Sequence, residues 1–350
     1  MNCDTLLDTM KQNLKNLSFE ELQSFINDHS VEPYRAKQIF QWMYREHVRD
    51  FAEMTNISKA VRSKFAEVAS LSFMAPEKID VSRDGSKKFL FKTHDGHGLE
   101  SVLIPEKNHF TLCISTQIGC PVRCRFCYTG RNGLIRNLSP SEIVNQVSAV
   151  LKEENFSDRL PNLVFMGMGE PLANYDNTVK SISILLKPWG FGFSHRRITV
   201  STAGLITRMK EFSASLPVNL AISLNAPNDK IRSFLMPINK KFPIKDLIST
   251  VKSCSIQPRK RITFEYILIK DINDSPEHAR ELAKLLKNIP CKINLIPFNE
   301  HPEVKFKKPQ EKKIKEFQSI LHMQHFTAPI RRSKGSDIAA ACGQLGGGRE

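Results

Sequence analysis

Cys120-Pro121-Val122-Arg123-Cys124-Arg125-Phe126-Cys127 places three thiols at C-x3-C-x2-C spacing, in a loop that follows the apolar run Phe110-Thr111-Leu112-Cys113-Ile114-Ser115. Thiolates bind soft metals and iron–sulfur clusters. A structural zinc ion needs four protein ligands, normally two C-x2-C-type pairs. Here there are three, with no nearby fourth downstream. Three thiolates hold three corners of a [4Fe–4S] cube and leave the fourth iron open to a small molecule, which is a catalytic arrangement.

Outward from this loop the text alternates between buried strands and helices. Strands are predicted at Phe110–Ser115, Asn162–Phe165, Arg197–Ser201, Val218–Ser223, Ile262–Ile269 and Lys292–Ile296. Helices are predicted at Ser139–Glu153, Asn177–Leu186, Leu205–Phe212, Ile244–Ser253, Pro276–Lys287 and Pro309–His322. Ser139, Pro140 and Glu142 form a capping box with proline in the first turn. Six strand–helix units imply a parallel sheet with right-handed crossovers, fewer than a closed eight-unit barrel needs. The fold class is therefore α/β, an open, partial (β/α)6 barrel. In barrels chemistry sits at the strand C-terminal ends, where the cysteine loop falls. The second strand ends in Gly167-Met168-Gly169-Glu170-Pro171, whose glycines allow close backbone approach and whose carboxylate can accept hydrogen bonds from an ammonium. Ser201, Ser223-Leu224-Asn225 and Asn299 end later strands on the same rim, together suggesting a polar ligand site.

Residues 1–95 read as a helical accessory domain with a linker hairpin, and 96–350 as the core with a C-terminal segment. Leu17–Asn27 and Arg35–His47 carry helical periodicity, with Ser18 and Glu21 as a capping box. Lys87–Lys92 and Leu99–Ile104 read as strands joined through Asp95-Gly96. Arg35, Lys37, Arg45 and Arg49 lie among Tyr34, Phe40, Trp42 and Tyr44, a candidate RNA-contact surface whose aromatics can equally be core. Net charge is +15 at pH 7, suited to a polyanionic partner or simply to solubility. No signal peptide or membrane-length apolar run is visible, so a cytoplasmic protein is expected. Of the eight cysteines, Cys3, Cys254 and Cys291 read as exposed or buried bystanders; Cys113 and Cys342 remain to be explained. Cys342, in a segment flanked by Gly335 and Gly346-Gly347-Gly348, can act as a nucleophile, since a thiolate is the best one available near pH 7. The rival reading of Cys113 is a further cluster ligand.

The C-x3-C-x-aromatic-C pattern resembles the signature of radical S-adenosylmethionine (SAM) enzymes. The chain further resembles the RlmN/Cfr family of radical SAM RNA adenine methyltransferases over nearly its whole length. The likeness runs through Tyr34–Phe40, Glu53-Met54-Thr55-Asn56, Thr111-Leu112-Cys113, the cluster loop, Arg136-Asn137-Leu138, Gly167–Pro171 and Gly335–Leu345. It implies a barrel of radical SAM type in which Cys120, Cys124 and Cys127 bind a [4Fe–4S] cluster. Gly169, Glu170, Ser201, Ser223, Leu224, Asn225 and Asn299 would line the SAM site. The family pattern carries His where Asn225 stands, which puts that one contact in question. The resemblance also implies two SAM molecules per turnover: one methylates Cys342, and the second yields a 5′-deoxyadenosyl radical that activates the S-methyl group. Cys113 then releases the product, leaving a Cys113–Cys342 disulfide. Glu100 matches the family's proton acceptor, although by sequence alone it reads as an exposed strand carboxylate.

The expected function is radical methylation of adenine C2 in 23S rRNA and tRNA. The implied partners are those RNAs and an electron donor such as flavodoxin or ferredoxin, with no membrane and no need for more than a monomer. Arg196, Arg197, Arg259, Lys260, Arg261, Arg331 and Arg332 are available for RNA phosphates. Two alternatives stay open: a Cfr-like adenine-C8 methyltransferase using the same cysteines, and a non-catalytic RNA-binding protein with a structural metal site.

Overall fold

The computed structural model describes residues 11–156, 159–254 and 261–346; Cys3, Arg259, Lys260 and Gly347-Gly348 lie outside them. The described chain divides into two compact units. One comprises the residues up to Pro76 with Leu138–Leu160 and Asp176–Ser194; the other comprises Glu77–Asn137, Pro161–Tyr175 and the residues from His195 onward.

In the first unit a short parallel pair, β1 (Gln12–Asn13) and β2 (Ala69–Ser70), closes a helical module. The helix Phe19–Asp28 starts where Ser18 caps it, with Glu21 bonding back in a complete capping box. The helix Arg35–Tyr44 buries Ile39, Phe40, Met43 and Tyr44 at helical spacing. A third helix, Lys59–Val68, carries one buried residue, Phe65, and so has too weak an apolar period to read from sequence. The aromatic–basic text resolves physically. Phe40 and Tyr44 are core, Phe40 packing edge-on against Phe19 at 5.4 Å. Arg45 is spent on the carbonyls of Pro188 and Gly190. Tyr34 alone among these aromatics is largely exposed, with the Arg35 guanidinium over its ring.

Two bases, the buried Lys15 and the half-buried His47, mark this unit electrostatically. Burial, with Arg49 and Lys152 nearby, lowers Lys15 to about 8, and its Nζ donates to Asn145 Oδ1 at 3.1 Å. Burial, then Lys15 and Lys152, lowers His47 to about 4. A base whose folded pKa lies below its unfolded value near 6.5 costs stability as pH falls through that value, because only the unfolded state takes up the proton. We expect the first unit to lose about 1–2 kcal/mol between pH 7.5 and pH 5 from His47, a window above the titration of its surface carboxylates. Both tryptophans, Trp42 and Trp189, belong to this unit, so urea unfolding followed by tryptophan fluorescence reads it selectively. A His47→Gln variant with the same pH slope as the wild type refutes the assignment.

The second unit is built on a nine-stranded sheet. Its antiparallel part is β3 (Pro76–Val81), β4 (Lys87–Lys92) and β5 (Gly98–Pro105), with Thr93–His97 forming the turn at Asp95-Gly96 between β4 and β5. β5 pairs antiparallel with β6 (Phe110–Cys113). A small two-stranded hairpin, β7 (Gln117–Gly119) and β8 (Leu134–Asn137), stands apart and frames the cysteine loop. From β6 the sheet is parallel through β9 (Asn162–Phe165), β10 (Ile198–Thr202), β11 (Asn219–Ser223), β12 (Ile262–Leu268) and β13 (Cys291–Pro297). The strand order β13-β12-β11-β10-β9-β6-β5-β4-β3 keeps the six parallel strands in chain sequence, with β13 and β3 as its outermost strands. A sheet wound one way without closing is the partial (β/α)6 barrel of radical SAM type. Each predicted strand appears within a residue or two of its place, because each carries a dense apolar run bounded by turn residues. Among the described residues no helix is long and apolar enough to cross a membrane.

Beyond β13, residues 327–331 run beside it, Leu295 donating to Pro329 and Arg331 donating to Leu295. The glycine-rich tail that follows is clamped by the second unit's own loops. Gly335 N donates to Asp84 (2.7 Å), Asn299 Nδ2 to the Cys342 carbonyl (3.0 Å) and Tyr128 N to Gly343 (2.8 Å). Thr129 Oγ1 donates to Leu345 (2.6 Å) and Gly346 N to Glu100 (2.7 Å). The sequence suggests a loose tail; the hydrogen bonds make it a fixed wall.

Candidate active site

The C-terminal ends of the parallel strands border one cleft of about 180 Å³.

The cysteine loop is held from both ends. Cys120 N donates to Gly133 of the framing hairpin at 2.7 Å, and Arg125 N donates to Leu235 at 2.9 Å. Cys120, Cys124 and Cys127 all border the cleft. Burial pushes Cys120 up to about 12, with Cys127 and Glu170 adding to the rise. Burial, then Cys127 and Cys120, holds Cys124 well above the usual thiol range. Three mutually repelling sulfurs beside a buried carboxylate make a site that is ionised readily only around a cationic centre. Among the described residues, no group of three or more His, Cys, Asp or Glu side chains is drawn together around one point. Three thiols at C-x3-C-x2-C spacing on one cleft match the donor set of a [4Fe–4S] cluster.

The β9 loop is fixed against the start of the cysteine loop. Gly167 N donates to Ile114, and Thr116 N to Met168. Gly169 has φ +101°, and a Cβ there would lie 2.6 Å from Gln117 Cβ and 2.8 Å from Gln117 N, so only glycine fits. The next residue, Glu170, is buried, accepts from Leu172 N (3.1 Å) and Ala203 N (2.7 Å), and is raised by burial to about 7. A carboxylate desolvated at a cleft wall is stabilised by a ligand cation such as an ammonium. Substituting Gly169→Ala is expected to displace this carboxylate and weaken SAM binding by at least ~tenfold, about 1.4 kcal/mol, while iron content stays at the wild-type level. Equilibrium dialysis with reconstituted protein measures it; unchanged affinity counts against a Glu170 contact.

Ser201, Ser223 and Asn225 line the cleft; Leu224 and Asn299 do not. Leu224 is fully buried and its N–H donates to the Glu265 carbonyl at 3.0 Å. Asn299 is spent on the Cys342 carbonyl. Asn225 sits at φ +58°, a left-handed conformation that asparagine tolerates. Its Oδ1 accepts from Ile267 N (2.9 Å) and its amide donates to Met236 Sδ.

Cys113 and Cys342, distant in the chain, border this same cleft as free thiols. Burial, then the neighbouring Cys342, pushes Cys113 up to about 12. Cys342 is accessible from the cleft, yet protein on its other sides raises it to about 11. Arg331 opposes both rises. Arg331 and Arg332 both line the cleft; Arg332 also pairs with Glu311, and Arg261 bonds Thr327. Glu100 is not an exposed strand carboxylate: it is 4% exposed, 3.5 Å from Lys88 Nζ and bonded to Gly346 N. It stands behind the Cys342 segment and does not itself border the cleft.

Sequence reasoning passes over Glu265. It sits on β12, every residue of which is buried, so no alternation marks which side chains face the cleft. Asn294 donates to its Oε1 at 3.0 Å, while Oε2 is buried with no hydrogen-bond partner.

Two family models match the chain: the ribosomal RNA large subunit methyltransferase N-terminal domain over residues 12–71 and the radical SAM superfamily over residues 114–286. A dual-specificity RNA methyltransferase RlmN from Geotalea uraniireducens is 48% identical, covering 96% of this chain and 97% of that protein. The same-named protein from Syntrophus aciditrophicus is 48% identical over 96% of each. The crystal structure of a radical SAM methyltransferase from Sphaerobacter thermophilus superposes with TM-score 0.89 at 41% identity, covering 95% of this chain and 99% of that one.

Proposed function

The chain belongs to the RlmN family of dual-specificity RNA methyltransferases, and on that premise we propose that it methylates adenine C2 in 23S rRNA and in tRNA. The observation that carries the reading is the meeting of Cys113, Cys342, the three loop cysteines and Glu170 around one cleft. Cys120, Cys124 and Cys127 hold the [4Fe–4S] cluster. Gly169, Glu170, Ser201, Ser223 and Asn225 face SAM, with Leu224 and Asn299 shaping the rim through backbone contacts. When bound, cluster and SAM supply a methyl group and one-electron hydrogen abstraction, chemistry that is theirs and not the protein's.

The chain's own residues do the rest. Adenine C2 is not nucleophilic, so the methyl group travels on a protein sulfur: Cys342 gives up its proton and accepts the methyl as a thioether. Arg331, beside both thiols, favours their ionised forms. Glu100, the acceptor of the C2 proton that the family resemblance implies, is held by Lys88 and Gly346 N off the cleft wall, so in this conformation it does not meet the base directly. The Cys113 thiolate then attacks the Cys342 sulfur, the carbon–sulfur bond breaks toward the product, and a Cys113–Cys342 disulfide remains. A cellular reductant returns the pair to thiols, and a donor such as flavodoxin or ferredoxin supplies electrons to the cluster. The clamped tail keeps Cys342 at the cleft wall throughout. The target adenine must leave its stack to reach this cleft.

Nucleoside mass spectrometry of rRNA and tRNA from cells with and without the gene tests the proposal. Loss of 2-methyladenine from both RNAs is expected; loss of 8-methyladenine instead would overturn the C2 assignment.

A further inference from the structure

Arg232, on the helix Asp229–Leu235, is fully buried. Its guanidinium donates from Nε to the Leu224 carbonyl (3.2 Å) and from Nη2 to Ala203 (2.7 Å) and Ser223 (3.3 Å). Nη1 donates to Asn239 Oδ1 (2.9 Å) and the Phe242 carbonyl (3.5 Å). All five acceptors are neutral. Asp229, one turn earlier, directs its Oδ1 to Asn239 Nδ2 and Ile244 N. A permanently charged guanidinium without a paired carboxylate is costly to bury, and arginine does not escape by losing its proton. Carbonyl dipoles offset part of that cost; a negative group nearby is needed for the rest.

The structure places such a group on the cysteine loop. The carbonyl of Leu235, in the turn after Arg232, accepts from Arg125 N, between Cys124 and Cys127. Ala203, Leu235 and Met236 pack in one apolar cluster with Cys120, Val122 and Phe126, and Cys124 and Cys127 pack against it. Among groups able to carry negative charge, Cys124 acts on Arg232 most strongly, ahead of Asp229.

We infer that Arg232 is the built-in counter-charge of the iron–sulfur cluster held by Cys120, Cys124 and Cys127, and that it raises the cluster's reduction potential. The inference rests on the cluster assignment above. A thiolate-ligated cluster gains negative charge when reduced, and a fixed buried cation favours that state, since nearby charge and hydrogen bonding set such potentials. The same side chain is a positioning residue for the rim, because it gathers the ends of β10 and β11 by their carbonyls.

The test is potentiometric titration of anaerobically reconstituted wild type, Arg232→Lys and Arg232→Gln without SAM, followed by electron paramagnetic resonance of the reduced cluster, with iron content measured alongside. The glutamine variant is expected to hold a cluster about tenfold harder to reduce, ~59 mV lower for a one-electron couple. The lysine variant keeps the charge but loses the fork, and its potential should stay close to wild type even where thermal stability falls. A glutamine variant at the wild-type potential overturns the inference and leaves Arg232 a packing residue. Should that variant fail to retain iron, the lysine variant decides: wild-type potential supports the counter-charge, a tenfold loss refutes it. Wild-type protein that takes up no iron would instead sink the cluster assignment.

Discussion

Replacing Cys342 by alanine is expected to abolish methyl transfer to RNA, by at least ~10³-fold as for removal of a covalent nucleophile, and to leave the cluster in place. The expectation of an intact site follows from what holds the segment. Asn299 grips the Cys342 carbonyl, Tyr128 N the Gly343 carbonyl and Thr129 the Leu345 carbonyl, all backbone acceptors that alanine retains. The side chain lost is only a sulfur at the cleft wall, and the three cluster cysteines keep their own anchors at Gly133 and Leu235. Another cysteine cannot substitute, because the remaining thiols of the cleft are Cys113, buried in β6, and the three loop cysteines. Iron content, cleavage of SAM after reduction and incorporation of labelled methyl into RNA should be measured on one preparation. Methylation at even a tenth of the wild-type rate removes Cys342 from the reaction.

Substituting Cys113→Ala stops the reaction at a different point. Cys342 still accepts the methyl group and still becomes joined to the base, but no thiol remains to attack its sulfur, so RNA accumulates covalently bound to protein. A product yield below one per enzyme and an RNA–protein band that survives denaturing electrophoresis are expected, and treatment with added thiol should not regenerate turnover. Cys113 packs with Val102, Met168, Ala340 and Leu345, so alanine costs about 1 kcal/mol of packing and the fold is kept. Free product at the wild-type yield would show that release does not need this thiol. The two variants separate the roles sharply: one never loads the methyl group, the other never lets go of it.

The locally encoded parts of this protein were legible without coordinates. A C-x3-C-x2-C loop is confined by covalent geometry, and Ser139 with Glu142 starts its helix wherever that helix lies. Strand runs such as Ile262–Leu268 announce themselves because both sheet faces are buried. Where local signal was weak, reading stopped: the helix Lys59–Val68 buries a single side chain, and the hairpin Gln117–Gly119 with Leu134–Asn137 is too short to carry a period.

By itself, then, the sequence determined the class of fold, the loop proposed to bind the cluster and, through its likeness to a family, two cysteines that needed a common task. Only the tertiary structure decided that Cys113 and Cys342 face one cleft, that Glu100 is buried behind the tail, and that Arg331 serves the cleft. It alone revealed Glu265 and Arg232. The reason is physical. Spacing along a chain constrains groups within a turn or a loop, whereas burial, charge and proximity between distant segments are properties of the packed core, and the same carboxylate or guanidinium is a solvated surface group until that core closes around it.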